Sequence, residues 1–181
     1  MKGVIFNLLE RAVTDEYGED AWEQLLVEAG LDGAYTSVGT YPHEELLALV
    51  AAASGQLDVA RDDLLRWFGR SAMPLLAERY AELFEAHTSL ESFMLSLNDI
   101  IHPEVRKLFP GAYAPEFEFD TSAPGVISLG YQSHRNLCLF AEGLVQGAAD
   151  RFGASVSISQ SECTLRGGSR CVLVCEIGAA P

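Results

Sequence analysis

The chain has 181 residues, of which 49% are hydrophobic and 21% charged, a composition typical of one globular domain with a substantial core. Its formal net charge of −14 makes phosphate backbones and anionic lipid poor partners, so we expect binding to neither nucleic acid nor membranes. The longest uninterrupted apolar run, residues 46–53, is far too short to span a bilayer.

The N-terminal segment does not have the pattern of a targeting sequence. Polar residues interrupt residues 1–10 too early for a signal peptide, and Gly3 does not directly follow Met1, as myristoylation would require. We therefore expect a cytoplasmic protein with reduced thiols.

Helical patterns fill the first half of the chain. Apolar residues at helical spacing predict five helices, at residues 4–13, 21–29 ending at Gly30, 46–53, 59–68 ending at Gly69, and 75–84 with Pro74 in the first turn.

The segment that leads to His102 is predicted to be a bent helix. Thr88 and Glu91 have the spacing of a capping box, which predicts a helix start there. Pro103 removes one backbone hydrogen bond, so the helix should kink or restart beside His102.

The pattern changes to strands near Pro110 and Gly111. Strands are predicted at residues 117–120, 126–131 and 155–159, a long helix at residues 136–152, and a β-hairpin at residues 163–177. The predicted fold class is α+β, with a helical N-terminal lobe and a C-terminal lobe of antiparallel strands and one long helix.

His102 is a candidate metal ligand. It is one of four histidines and lies beside the apolar face of its predicted helix, and neutral imidazole is a common axial ligand of haem iron. The alternative is a structural histidine packed at a helix edge.

Tyr131, Ser133 and Arg135 form a candidate receptor for carboxylates. In an extended segment, residues two apart share one side, so two hydroxyls and a guanidinium would converge beside the start of the predicted long helix. Haem carries two propionates, and an arginine can bind a carboxylate with two parallel hydrogen bonds. The alternative is an ordinary N-cap at Ser133.

Three segments together resemble the H-NOX family, haem nitric oxide/oxygen-binding domains related to the haem domain of soluble guanylate cyclase. They are MKGVIFNLL at residues 1–9, LNDIIHPEV at residues 97–105, and Tyr131-x-Ser133-x-Arg135. The resemblance runs from Met1 to about Ile177. It implies a single domain over residues 1–181, with an N-terminal helical subdomain to about residue 65 and haem b between the lobes.

The resemblance also implies roles for individual residues. His102 would be the proximal iron ligand, Tyr131, Ser133 and Arg135 would hold the propionates, and Pro115 would press on the haem and distort it. Four further residues match positions that line the pocket: Ile5, Leu9, Phe140 and Leu144.

The gas that the resemblance favours is nitric oxide, with carbon monoxide as a further ligand. Oxygen-binding members use a tyrosine hydroxyl where this chain has Phe140, and Leu9 replaces an aromatic donor. Bound oxygen gains much from a hydrogen bond, whereas nitric oxide binds ferrous haem strongly without one. An oxygen sensor is the closest alternative, with Tyr80 or Tyr113 as the donor.

The implied mechanism is that of a bacterial sensor and not of an enzyme. The resemblance implies that gas binding would weaken the bond to His102, that the helix carrying it would be released, and that the haem would relax against Pro115. The expected output is a separate protein, a histidine kinase or a cyclic-di-GMP enzyme. A peroxidase would need a distal acid–base pair, and the other histidines, His43, His87 and His134, fall outside the expected pocket.

The four cysteines lie late in the chain, at positions 138, 163, 171 and 175. Some bacterial members of the family bind zinc through three cysteines and one histidine. Cys138, Cys163 and Cys171 match the three, but Gln160 stands at the histidine position. A structural zinc, a redox or nitrosation role for the thiols, and inert thiols are all open alternatives.

Overall fold

The computed structural model describes residues 1–179, as an α+β protein in which helices come first and an antiparallel sheet follows. The predicted fold class is confirmed. The helices are α1 (Gly3–Tyr17), α2 (Glu19–Ala29), α3 (His43–Leu57), α4 (Arg61–Arg79), α5 (Ala81–Glu85), α6 (Leu90–Leu95), α7 (His102–Leu108) and α8 (Cys138–Phe152). The strands are β1 (Phe117–Asp120), β2 (Val126–Tyr131), β3 (Ala154–Glu162) and β4 (Cys171–Ala179).

Helix α4 corrects the prediction of two helices separated at Gly69. It continues through Gly69 and Pro74 as one helix of 19 residues. A Cβ atom on Gly69 would lie 2.3 Å from the carbonyl oxygen of Phe140, so the absence of a side chain permits close contact with α8. Glycine here serves helix packing, whereas Gly30 is a C-cap in the left-handed conformation, as predicted.

Helix α6 begins one residue later than the capping box indicates. Ser89 is the N-cap of α6, and its hydroxyl accepts a hydrogen bond from the amide of Ser92. Thr88 and Glu91 therefore do not form the cap. The predicted irregularity near His102 is present, because a π-helical turn (Leu97–Ile101) separates α6 from α7.

The sheet has the strand order β1-β2-β4-β3, and every neighbouring pair is antiparallel. Strand β4 pairs with β2 and β3, and β3 and β4 form an antiparallel hairpin. The predicted hairpin is therefore misplaced in its first strand, which is Ala154–Glu162 and not the segment that begins at Cys163. Residues Thr164–Arg166 form a 3₁₀ turn in the connection between β3 and β4. The buried face of β2 and β4 carries Ile127, Leu129, Leu173 and Cys175.

Helix α8 begins at Cys138, two residues later than predicted, with Leu137 as its N-cap. Asn136 has a φ of 53°, a left-handed backbone that interrupts any helix before this point. Ser133 is therefore not a helix cap, and that alternative for the Tyr131–Arg135 segment is wrong. Within the described residues, no helix is both long and apolar enough to cross a membrane.

Candidate functional site

A cavity of about 290 Å³ lies between the N-terminal helices, the π turn with α7, and the start of the sheet. Most of its lining is aliphatic or aromatic, and its polar groups are few. This combination is typical of a site for an apolar ligand with a small number of oriented polar groups.

His102 is the first residue of α7 and lines this cavity. Its Nδ1 atom is buried and has no hydrogen-bond partner among the described residues. Burial and, to a lesser extent, the charge of Arg106 lower the pKa of His102 to about 4, and the backbone of Pro115 acts in the opposite direction. The imidazole is therefore neutral at pH 7, with a lone pair available for a metal ion.

The π turn directly precedes His102 and affects the direction of its side chain. The carbonyl of Ser96 accepts hydrogen bonds from the amides of both Ile100 (2.9 Å) and Ile101 (3.1 Å), so the chain gains an extra residue in this turn. Such turns rotate the residues that follow relative to a regular helix. Pro103 indicates that the helix is irregular near His102. The sequence does not indicate the π turn, because no residue type specifies such a turn.

Tyr131, Ser133 and Arg135 all line the same cavity as His102. Tyr131 ends β2 and is buried, which raises the pKa of its hydroxyl although a hydrogen bond with Ser133 opposes the change. Ser133 and Arg135 lie beyond the strand in a short turn, in which the hydroxyl of Ser133 accepts from the Arg135 amide at 3.2 Å. This turn brings the three residues to the same cavity. The sequence had predicted that a continued strand would do so.

The guanidinium of Arg135 is held beside the cavity by Tyr113. It lies 5.0 Å from the centre of the Tyr113 ring and donates to the Tyr113 carbonyl at 3.5 Å. A guanidinium that lines a largely apolar cavity suits a carboxylate ligand. Sequence reasoning considered Tyr113 only as a gas-binding donor and missed this contact, since 22 residues separate it from Arg135.

The predicted apolar residues divide into two groups. Ile5, Pro115, Phe140 and Leu144 line the cavity, whereas Leu9, on α1, is 5% exposed, packs in the core and is not part of the lining. Phe140 packs against Phe68 with ring centres 4.8 Å apart. Tyr80 and Tyr113 also line the cavity, the former at the end of α4 and the latter beside Arg135.

Over residues 2–160 the chain matches the family model described as haem-NO-binding. The chain belongs to the H-NOX family. Members are haem-based sensor domains and not enzymes, so haem is the cofactor of this protein. The residues fit this group, because the cavity offers an unpartnered imidazole nitrogen and a guanidinium to one apolar space.

Three solved structures illustrate the H-NOX similarity. An H-NOX protein from S. oneidensis in the Fe(II)NO state is 33% identical, with a TM-score of 0.92 and coverage of 98% of this chain and 99% of that one. The SO2144 H-NOX domain from Shewanella oneidensis in the Fe(II)CO state is 32% identical, with a TM-score of 0.89 and coverage of 98% and 99%. An oxygen-binding H-NOX domain, related to soluble guanylate cyclases, is 22% identical, with a TM-score of 0.82 and coverage of 99% and 96%, which shows the shared fold alone.

A second cluster in this H-NOX chain consists of Cys138, Cys163 and Cys171. The sulfur of Cys163 lies 3.8 Å from each of the other two, and all three sulfurs lie within 4.8 Å of one another. Zinc–sulfur bonds of about 2.3 Å in a tetrahedron separate the sulfurs by roughly 3.8 Å. The three thiols could therefore hold one metal ion without a large rearrangement.

The ionisation of these thiols is set by their surroundings. Burial raises the pKa of Cys138. At Cys171 burial also acts to raise the pKa, but hydrogen bonds with Thr164, Cys138 and Cys163 together outweigh it and lower the pKa. Gln160 donates from Nε2 to Glu142 at 3.1 Å, and its Oε1 atom is buried without a partner among the described residues. Cys175 is buried elsewhere on β4.

Proposed function

We propose that this protein is a sensor that binds nitric oxide at ferrous haem and reports to a separate protein. The observation that carries the proposal is the buried, unpartnered Nδ1 atom of His102, on an imidazole that lines an apolar cavity. Leaving such a nitrogen unsatisfied costs about 1–3 kcal/mol, so a ring that stays in this position suits a ligand.

The proposed roles follow from the lining of the cavity. His102 would bind the iron through its imidazole, while Tyr131, Ser133 and Arg135 would orient the group through its propionates. Pro115 would press against the porphyrin from the segment before β1. Bound haem supplies the iron atom that takes the gas, and the protein supplies the ligand, the orientation and the exclusion of water.

Selectivity for nitric oxide over oxygen is supported by the wall that α1 and α8 contribute. Ile5, Phe140 and Leu144 carry no hydrogen-bond donor in their side chains. One missing hydrogen bond to a charged acceptor costs about 1.5–3 kcal/mol, or roughly one to two orders of magnitude in oxygen affinity. Relatives have been solved with nitric oxide and with carbon monoxide, and we propose both as ligands here.

The decisive experiment is an absorption spectrum of the reduced protein, recorded before and after nitric oxide and again in air. We expect a ferrous haem spectrum that changes with nitric oxide and no stable oxygen complex. The variant His102→Ala should lose the ferrous spectrum of the wild type unless imidazole is added. A stable oxygen complex in air would replace the proposal with an oxygen sensor.

The remaining predictions concern the context of the domain. A histidine kinase or a cyclic-di-GMP enzyme is the proposed partner, and autophosphorylation or turnover of cyclic di-GMP with and without nitric oxide tests it. The cytoplasm remains the predicted compartment. The predicted subdomain boundary at about residue 65 lies inside α4, and the division of the domain remains a prediction.

We also propose a structural zinc ion on Cys138, Cys163 and Cys171, supported by the two sulfur–sulfur distances of 3.8 Å. The redox-sensing alternative uses the same thiols. Metal analysis of protein purified without chelators should find one zinc per chain in addition to iron. Protein that has full haem content but no zinc would favour a redox role or inert thiols.

A further inference from the structure

Asn98 joins the haem-site helix segment to the edge of the sheet. It lies in the π turn, and its side-chain amide pairs with the backbone of one residue, Phe117, in both directions. The Nδ2 atom donates to the Phe117 carbonyl at 2.7 Å, and the Phe117 amide donates to Oδ1 at 3.0 Å. The side chain of Asn98 thus imitates the hydrogen bonds of a neighbouring strand.

The position of Phe117 explains why this pair can form. Phe117 opens β1, the edge strand of the sheet, and it pairs with Tyr131 on the inner side. In an edge strand, the backbone groups that face outward lack a strand partner and are often a liability. The side chain of Asn98 provides these missing hydrogen-bond partners at the first residue of β1. The π turn therefore takes the place of a fifth strand at that point.

The pair also sets the distance between two parts of the haem site. Asn98 precedes His102 by one helical turn, and Phe117 follows Pro115 by two residues. The rings of His102 and Phe117 are in contact, with centres 5.3 Å apart. Two hydrogen bonds from one side chain therefore fix the imidazole relative to the Pro115 segment.

We propose that Asn98 is a positioning residue of the haem site, which holds His102 at its distance from Pro115 and couples movement of the π turn to strand β1. The inference rests on the proposed role of His102 as iron ligand. When His102 moves, the π turn can shift only if the Asn98 pair breaks or if β1 moves with it. If β1 moves with the turn, the displacement passes from the helix to the sheet, and if the pair breaks, β1 loses its contact with the turn.

The test compares two variants of Asn98 with a matched control. Asn98→Ala removes both hydrogen bonds, whereas Asn98→Asp keeps the acceptor for the Phe117 amide and loses the donor to its carbonyl. The control is Asn7→Ala, because Asn7 also makes two side-chain hydrogen bonds across the chain, to Tyr35 and from Ser37, each at 2.9 Å. Asn7 does not line the cavity.

The first measurement is the iron–histidine stretching band of the ferrous protein in resonance Raman spectra. We expect the band to shift or broaden in Asn98→Ala and less so in Asn98→Asp, with no change in Asn7→Ala. The second is hydrogen exchange of the Phe117 amide. Its exchange should accelerate on the order of fivefold to tenfold in Asn98→Ala, as expected for the loss of one neutral hydrogen bond, and less in Asn98→Asp.

Two results would overturn the proposal. One is an unchanged stretching band in both Asn98 variants, and the other is an equal shift in Asn7→Ala. If Asn98→Ala does not fold, Asn98→Asp against Asn7→Ala decides the question. His102→Ala is measured in parallel: if it retains the wild-type band, the ligand assignment itself is wrong, whereas loss of the band together with unaffected Asn98 variants rejects only the positioning role.

Discussion

Burial prepares His102 for its proposed role at the scale of a single residue. The same apolar surroundings that lower its pKa leave Nδ1 without a partner among the described residues. A histidine in water would be partly protonated near neutral pH and would bind iron less readily. The neutral form and the orientation are thus properties of the site and not of the residue type.

A single added hydroxyl group at Phe140 tests the gas selectivity. The variant Phe140→Tyr adds a hydroxyl to a ring that lines the cavity. If that hydroxyl reaches the bound gas, oxygen affinity should rise by about one to two orders of magnitude, as expected for one hydrogen bond to a charged acceptor. Oxygen titration of the reduced variant measures this, with Phe68→Tyr as a control on the neighbouring aromatic ring. Equal oxygen affinities of wild type and Phe140→Tyr would contradict the assignment of Phe140 to the gas-binding wall.

Cys175 should make the protein less stable in alkali. Burial raises its pKa to about 12, and Glu142 adds to the shift. Because the unfolded thiol ionises near pH 9 and the folded one does not, stability is complete below pH 9 and is lost as pH rises toward 12, by about 1.4 kcal/mol per pH unit.

Urea unfolding of wild type and Cys175→Ala at pH 8 and pH 10 measures this contribution. Burial also raises the pKa of Cys138, Tyr35 and Tyr131, so both proteins should lose stability. The difference between them isolates Cys175. Parallel loss in the two proteins would show that this thiol does not contribute.

At the scale of elements, contact between α4 and α8 depends on three glycines. Cβ atoms built on Gly69, Gly143 and Gly147 would lie 2.3 Å, 2.1 Å and 2.6 Å from atoms of the facing helix. The ion pair of Arg66 and Glu142, at 2.9 Å, crosses the same interface. The two helices therefore approach closely at a position where both contribute residues to the cavity.

Gly69→Ala should destabilise the protein, because the added methyl group meets the backbone oxygen of Phe140, which cannot rotate away. We expect a loss of about 1–3 kcal/mol in the free energy of unfolding, measured in urea. Gly55→Ala is the matched control, since Gly55 is in helix α3 and a Cβ there meets nothing within 4 Å. This control should gain up to about 1 kcal/mol from helix propensity. Equal effects of the two substitutions would refute the packing argument.

At the scale of the whole molecule, the net charge of −14 opposes compact structure by self-repulsion. Thermal unfolding should shift to higher temperature between 0.01 M and 0.15 M salt, because the screening length falls from about 30 Å to about 8 Å. Sodium chloride and potassium chloride should act alike. A midpoint that falls in both salts would mean that local ion pairs outweigh the net repulsion.

The sequence alone determined the family and the α+β class. The family follows from the resemblance carried by the short motifs around His102, Tyr131, Ser133 and Arg135, and the class follows from apolar periodicity, which marks most helices and strands. The boundaries that depend on neighbours were less accurate: Gly69 resembled a helix end, and the residues after Cys163 resembled the first strand of a hairpin that in fact begins with β3.

Only the tertiary structure decided which residues meet. It brought Asn98 to Phe117 and Tyr113 to Arg135, while it placed Leu9 in the core and away from the cavity lining. Such contacts arise from the packing of elements far apart in the chain, and no local pattern records them.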